Sequence, residues 1–201
     1  MKYILIAVLS LILTACVETT VQSQTDPEFK GSKVSKIVID LSALPLQLKT
    51  QTEPILIEQL KAAGVQAVNI RDVAPATRDY TPDQLQSIIA GSGYEAIMFI
   101  QMTDSGSRTS YAGSINNTSY TGNFNGNQFN MNSSGISTPL ILAMGNNAFK
   151  ATLYDNRTGR KIWIGELDTQ TRGTAFVGKM GVIASSAVQA LVSKLKEDGR
   201  I

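Results

Sequence analysis

The 201-residue chain contains no histidine, a single cysteine and a single tryptophan, and its formal net charge is only +2. Each scarcity removes a class of chemistry. Without histidine there is no Ser-His-Asp triad, no Cys-His dyad and no histidine-ligated zinc site. A lone thiol, Cys16, closes no internal disulfide. Carboxylate-pair hydrolysis, a serine with a lysine base and an oxygen-ligand cation site stay within reach of this composition, but none has a motif here and no cofactor is expected. The basic residues are scattered among acids instead of forming a stripe with aromatics between the charges, which argues against a nucleic-acid partner. Apolar residues make up 43% of the chain and charged residues 17%, the balance of a globular protein rich in neutral polar side chains.

What is present begins at the amino terminus. Met1-Lys2 is a short basic start, residues 3–13 are apolar except for Ser10, and Thr14-Ala15 place small side chains before Cys16. The run is too short to span a bilayer and has the order of a secretory signal. Leu13-Thr14-Ala15-Cys16 resembles the lipobox of bacterial lipoproteins. That resemblance implies removal of residues 1–15 as a signal peptide, a diacylglyceryl thioether on Cys16 and an acylated new amino terminus. Several acyl chains, at about 0.8 kcal/mol per buried CH₂, make a lasting membrane anchor. Val17 stands where enteric lipoproteins retained in the inner membrane carry aspartate, so the resemblance implies the outer membrane, with the protein facing the periplasm. The other reading is an ordinary signal cleaved near Ala15, which leaves an unpaired thiol in an oxidising compartment.

Residues 16–32 are polar, contain Pro27 and Gly31 and show no sustained periodicity, so they are expected to form a lipidated tether. Residues 33–201 are long enough for one domain with its own core. The β-branched run from Lys33 predicts a buried strand. A helix follows, starting at Thr52 or Glu53 with Pro54 in its first turn and closing at Gly64, and Val65–Ile70 return as a strand. This order makes a crossover unit of an α/β sheet. Thr81, Pro82 and Gln84 form a capping box with proline at the first helical position, Leu85, Ile88 and Ile89 supply the apolar stripe, and Gly91 ends that helix. Residues 94–102 form the most apolar strand, which belongs at the centre. "AFKATLYD", the turn around Gly159 and "RKIWIGELDTQT" read as a hairpin with Trp163 in the core, and Ile183, Ala187, Val188, Leu191 and Leu195 share one face of a last helix. The expected fold is α/β, a mixed sheet of about five strands with helices packed on it.

Residues 105–137 break this pattern with Ser, Asn, Gly and Thr, punctuated by Tyr111, Tyr120, Phe124 and Phe129. A flexible insertion, an extended hairpin arm with its tip near residues 123–126, and a membrane-inserting hairpin are all open. The last would need apolar residues at nearly every second position over ~9–11 residues, where this segment has asparagine, serine and threonine. The four aromatics are the candidate partner contacts, since exposed rings on a polar loop can anchor an interface.

The order of "KIVIDLSA", helix, "YEAIMFIQM", insertion, "ATLYDNRTGRKIWIGELDT" and final helix resembles periplasmic lipoproteins related to the curli-secretion channel lipoprotein. It is similar as well to the amino-terminal domain of the Tol translocation protein and to lipoprotein activators of penicillin-binding proteins. A strand ending in aspartate, a Thr-Gly turn and a returning aromatic, here Asp155, Thr158, Gly159 and Trp163, carry the likeness. In the channel-forming relative the corresponding hairpins are membrane strands, from which the hydrophilic insertion departs. The resemblance implies a lipid-anchored envelope protein without enzymatic activity that binds a protein partner in an envelope machine. Alternatives are a homo-oligomeric secretion-channel-like ring and a small-ligand-binding lipoprotein. An enzyme would have to draw its acids from Asp40, Asp104, Asp155, Glu166 or Asp168.

Overall fold

The structure is a computed structural model that describes residues 16–75, 77–125, 128–172 and 180–201, with Cys16, 107–125 and 128–144 described as backbone. Its strands are β1 Cys16–Thr25, β2 Lys36–Asp40, β3 Gln66–Asn69, β4 Ala96–Asn125, β5 Gln128–Asp155 and β6 Lys161–Arg172. Its helices are α1 Leu46–Ala62, α2 Ile70–Val73, α3 Pro82–Gly91 and α4 Met180–Glu197, with one 3-10 turn at Pro27–Phe29. The six strands form one mixed, open sheet in the order β1-β6-β5-β4-β2-β3. β2 is parallel to both β3 and β4, and the remaining pairs are antiparallel. The signal-peptide reading of residues 1–15 lies outside the described residues.

Hydrophobic pattern explains the centre of the sheet. Ile37, Val38 and Ile39 of β2 are all fully buried because β2 is covered on both faces, so a continuous β-branched run, not an alternating one, is what the position requires. β4, the most apolar strand, lies between β2 and β5 as expected. On one face Ile39, Met98 and Leu153 join Leu56 and Leu60 of α1 and Leu191 and Leu195 of α4 in the main core. α4 is legible in full: all five residues of its expected face are buried.

Two local expectations are corrected. The segment expected as a tether opens with a ten-residue edge strand, which makes the sheet six-stranded instead of about five-stranded. Its inward positions are largely hydroxyl-bearing, so no apolar alternation announces it. Thr19 Oγ1 is 2.9 Å from Thr169 Oγ1 and 2.8 Å from Ser186 Oγ on α4. The helix expected from Thr52 starts instead at Leu46, with Pro54 inside it. Leu48, Thr52, Leu56 and Leu60 form one buried i,i+4 stripe; burying Leu48 offsets the lost hydrogen bond at Pro54. α3 keeps its predicted capping box, with Gln84 N–H donating to Thr81 Oγ1 and Gln84 Oε1 accepting from Thr81 N–H. Gly91 is its last helical residue; the positive φ that turns the chain is at Gly93.

Both chain ends are locked together. Arg200 is 1% exposed; its guanidinium donates to Phe29 O at 2.5 Å and to Asp198 O at 3.1 Å, while its own carbonyl accepts Val34 N–H at 2.7 Å. Arg160 pairs with Glu28 and with Asp26, the latter at 2.9 Å, and lies over the Phe29 ring. Residues 26–34 are therefore fixed to the β5–β6 turn and to the carboxyl end.

Candidate functional site, the anchor end and the hairpin arm

The strand registers put four residues from four strands in one row: Cys16 opposite Arg172, Arg172 opposite Met144, and Met144 opposite Arg108. At this row β1 begins and β6 ends, while β4 and β5 continue alone. The two-stranded ribbon runs through Asn125 and Gln128, so the β4 side extends 17 residues past Arg108, roughly 55 Å at strand rise. The insertion is thus a hairpin arm, rooted at the end of the sheet where Cys16 lies. Its tip residues 126–127 are outside the described residues.

Of the four aromatic candidates, Phe124 and Phe129 are direct cross-strand partners near the tip, Tyr120 is opposite Ser133 and Tyr111 is opposite Ile141. Tyr120 and Phe124 are four residues apart and therefore share a face. Tyr111 is nine residues from Tyr120, an odd spacing that alone would set it on the other face. The register, however, slips by one residue between Tyr111 and Gly113. Counted on β5, Ile141 and Ser133 are an even eight apart, so the bulge brings all four aromatic positions onto one face of the ribbon. Sequence spacing could not show this, because nothing in "SYAGS" marks the extra residue.

The candidate acids do not converge. Asp40 caps the end of β2 by accepting Ser42 N–H at 2.8 Å, and Asp155 accepts the Thr158 hydroxyl at 2.6 Å in the β5–β6 turn. Glu166 and Asp168 do share the sheet face that α1 and α4 leave open. There Lys150 Nζ is 3.2 Å from Glu166, and Asp104, Ala148, Asp168 and Thr20 occupy one cross-strand row.

A second concavity, which sequence reasoning missed, lies on that same face at its other end. α3 stands off the sheet and leaves a cavity of about 330 Å³. Leu85 and Ile89 form the helix wall, the paired residues Ile97 and Tyr154 the floor, and Asp155 and Asn156 the end. The only sequence signal for it was the surplus of apolar residues on α3 over what a surface helix of ten residues needs.

No protein-family model matches the chain, and no curated protein matches its sequence. Among solved structures the chain is similar to a PelC dodecamer from Paraburkholderia phytofirmans, at 15% identity over 91% of this chain and 99% of that one, with a TM-score of 0.49. A further PelC dodecamer structure from the same organism gives 15% identity, 89% and 96% coverage and a TM-score of 0.44. A lipoprotein from Neisseria meningitidis gives 14% identity, 81% and 99% coverage and a TM-score of 0.39. Similarity of this extent leaves the function to be argued from the chain's own residues.

Proposed function

We propose that this chain is a lipid-anchored cell-envelope protein of the outer membrane, facing the periplasm, that works by binding and assembly instead of catalysis. Cys16 is its acylation site, and the β4–β5 arm is the part that engages a protein partner. The row Cys16, Arg172, Met144 and Arg108 carries this reading. Because β1 starts at Cys16 itself, no spacer separates the acyl chains from the sheet, and the root of the arm is held at the level of the anchor. An arm of roughly 55 Å rooted there reaches further than the ~30 Å hydrocarbon layer is thick, so whatever it meets lies in, on or across that membrane.

A ring of identical copies is the second reading, and the topology favours it specifically. β1 and β3 are the two outer strands of the sheet, and the pairing pattern makes them run in opposite directions. A copy rotated about an axis along the strands can add its β3 to this β1 in antiparallel pairing, with every Cys16 and every arm at one end. Crosslinking of the native protein in intact cells, followed by mass spectrometry, tests both. A recurrent partner crosslinked to residues 105–137 supports the docking arm. A ladder of the protein alone supports the ring, and the absence of any protein adduct would overturn both.

A further inference from the structure

The cavity under α3 ends on a hydrogen-bonding group that the protein leaves unused. Asn156 is 7% exposed. Its backbone N–H donates to Glu95 O at 3.0 Å and its Nδ2 donates to Tyr94 O at 3.0 Å, which fixes the amide so that Oδ1 is the remaining end. Among the described residues, Oδ1 has no donor. Buried acceptors are almost always paired, so one left open beside a cavity points to a missing donor.

We infer that this cavity is a binding site for an apolar ring or short chain carrying one neutral or cationic N–H group, received by Asn156 Oδ1. Its volume falls in the range of small-ligand sites, and its combination of aliphatic walls with a few fixed polar groups is typical of them. Charge narrows the ligand class. No lysine or arginine lines the cavity, whereas Asp155 does, held in place by the Thr158 hydroxyl. Carboxylates and phosphates would meet a buried acid with no counter-ion; a neutral or positively charged donor would not. Oδ1 is itself shielded from bulk water, so the donor has to arrive on an apolar group that follows Leu85 and Ile89 inward. The site is independent of the anchor and of the arm, since it lies at the end of the sheet where the β5–β6 turn is, far from the Cys16 row.

The test uses isotope-labelled full-length protein in lipid nanodiscs, titrated with indole and with N-methylindole. Methylation removes the donor but keeps the apolar body, and raises partition into lipid, so preference for indole cannot arise from the membrane. Indole is expected to shift the amide signals of Ile97, Tyr154 and Asn156 saturably, and N-methylindole to bind about tenfold more weakly. Asn156→Leu should erase that preference. Because this change also removes the bond to Tyr94, Leu85→Trp provides a variant that leaves the turn intact, fills the cavity from the helix side and should block both compounds. Equal binding of the two compounds, shifts confined to other regions, or no binding by either, as expected if Oδ1 only holds a water, would overturn the inference.

Discussion

Trp163 and Asp198 are hydrogen-bonded across the junction between the sheet and the last helix, with the indole Nε1 donating to Asp198 Oδ2 at 2.8 Å. The same oxygen accepts the Ser23 hydroxyl at 2.5 Å, and Lys194 Nζ lies 3.3 Å from Oδ1. One carboxylate therefore joins β1, β6 and the end of α4. Burial alone would raise this carboxyl, but the bonds from Ser23, Trp163 and Lys194 together outweigh it and hold Asp198 below its ordinary value of 3.8.

The sign of the resulting pH dependence follows from that direction. A carboxyl depressed in the folded state contributes stability fully above its unfolded value and loses it as pH falls through the lower folded value. Urea unfolding midpoints should therefore drop more steeply below about pH 4 in the native protein than in Asp198→Asn. At pH 7 the same substitution is expected to cost about 1–3 kcal/mol. Parallel acid limbs for the two proteins would show that this carboxylate does not carry the effect.

Gly165, two residues after Trp163 on β6, is a packing requirement. A Cβ there would overlap the six-membered ring of the indole, whose atoms occupy that space. Trp163 is 1% exposed and cannot swing away without breaking its bond to Asp198. Gly165→Ala is expected to lower stability by about 1–3 kcal/mol, and near-ultraviolet circular dichroism should register the displaced ring. An unchanged spectrum and midpoint would mean that the pocket around Trp163 is looser than its burial implies.

Much of the fold was legible because burial and period agreed. β2, β4, the Gly159 turn and α4 each repeat apolar residues at the spacing their element needs, and Thr81, Pro82 and Gln84 declare the start of α3. β1 was not legible: Thr19 and Ser23 face inward but are satisfied by Thr169, Ser186 and Asp198, partners more than 140 residues away in the sequence. The start of α1 was hidden because Pro54 reads locally as a first-turn residue, whereas the stripe begun by Leu48 reaches back beyond it. At the candidate site, the aromatic residues were visible but their common face depends on a bulge, and Asn156 attracts no notice in "YDNRTG" until Tyr94 and Glu95 are brought beside it.

Pro54 gives a prediction of opposite sign. It is exposed within α1, removes the amide that would bond to Thr50 O, and leaves Thr50 Oγ1 bonded to Leu46 O at 3.1 Å and Gln47 O at 3.0 Å. Pro54→Ala restores the amide without disturbing the buried stripe, so it should raise the unfolding free energy by about 1–3 kcal/mol. Thermal melts of the two proteins side by side decide it; a lower Tm for the alanine variant would mean that the kink itself is needed for packing.

Cys16→Ala separates anchoring from folding. β1 holds to β6 through backbone pairing at every position from Cys16 to Thr25, so the thiol is dispensable for the sheet. The variant is expected to keep the native melting transition but to move from the membrane fraction to the soluble fraction. Retention with the outer membrane after a high-salt wash would refute the acyl anchor.

The face assignment of the arm predicts a one-sided effect. Tyr120, Phe124 and Phe129 fall on one face of the ribbon, while the neighbouring cross-strand pair Asn123 and Asn130 falls on the other. Aromatic anchors in the centre of an interface typically contribute 2 kcal/mol or more, roughly a thirtyfold loss in affinity on truncation, whereas contacts outside it contribute little. Alanine at both Phe124 and Phe129 should therefore nearly abolish in-cell crosslinks from the arm, whereas alanine at both Asn123 and Asn130 should leave them close to the native level. The two double variants remove side chains at adjacent positions of the same ribbon, so damage to the arm as such would affect both. Equal losses would point to a structural role for the ribbon, and equal retention would place the docking surface elsewhere on the molecule.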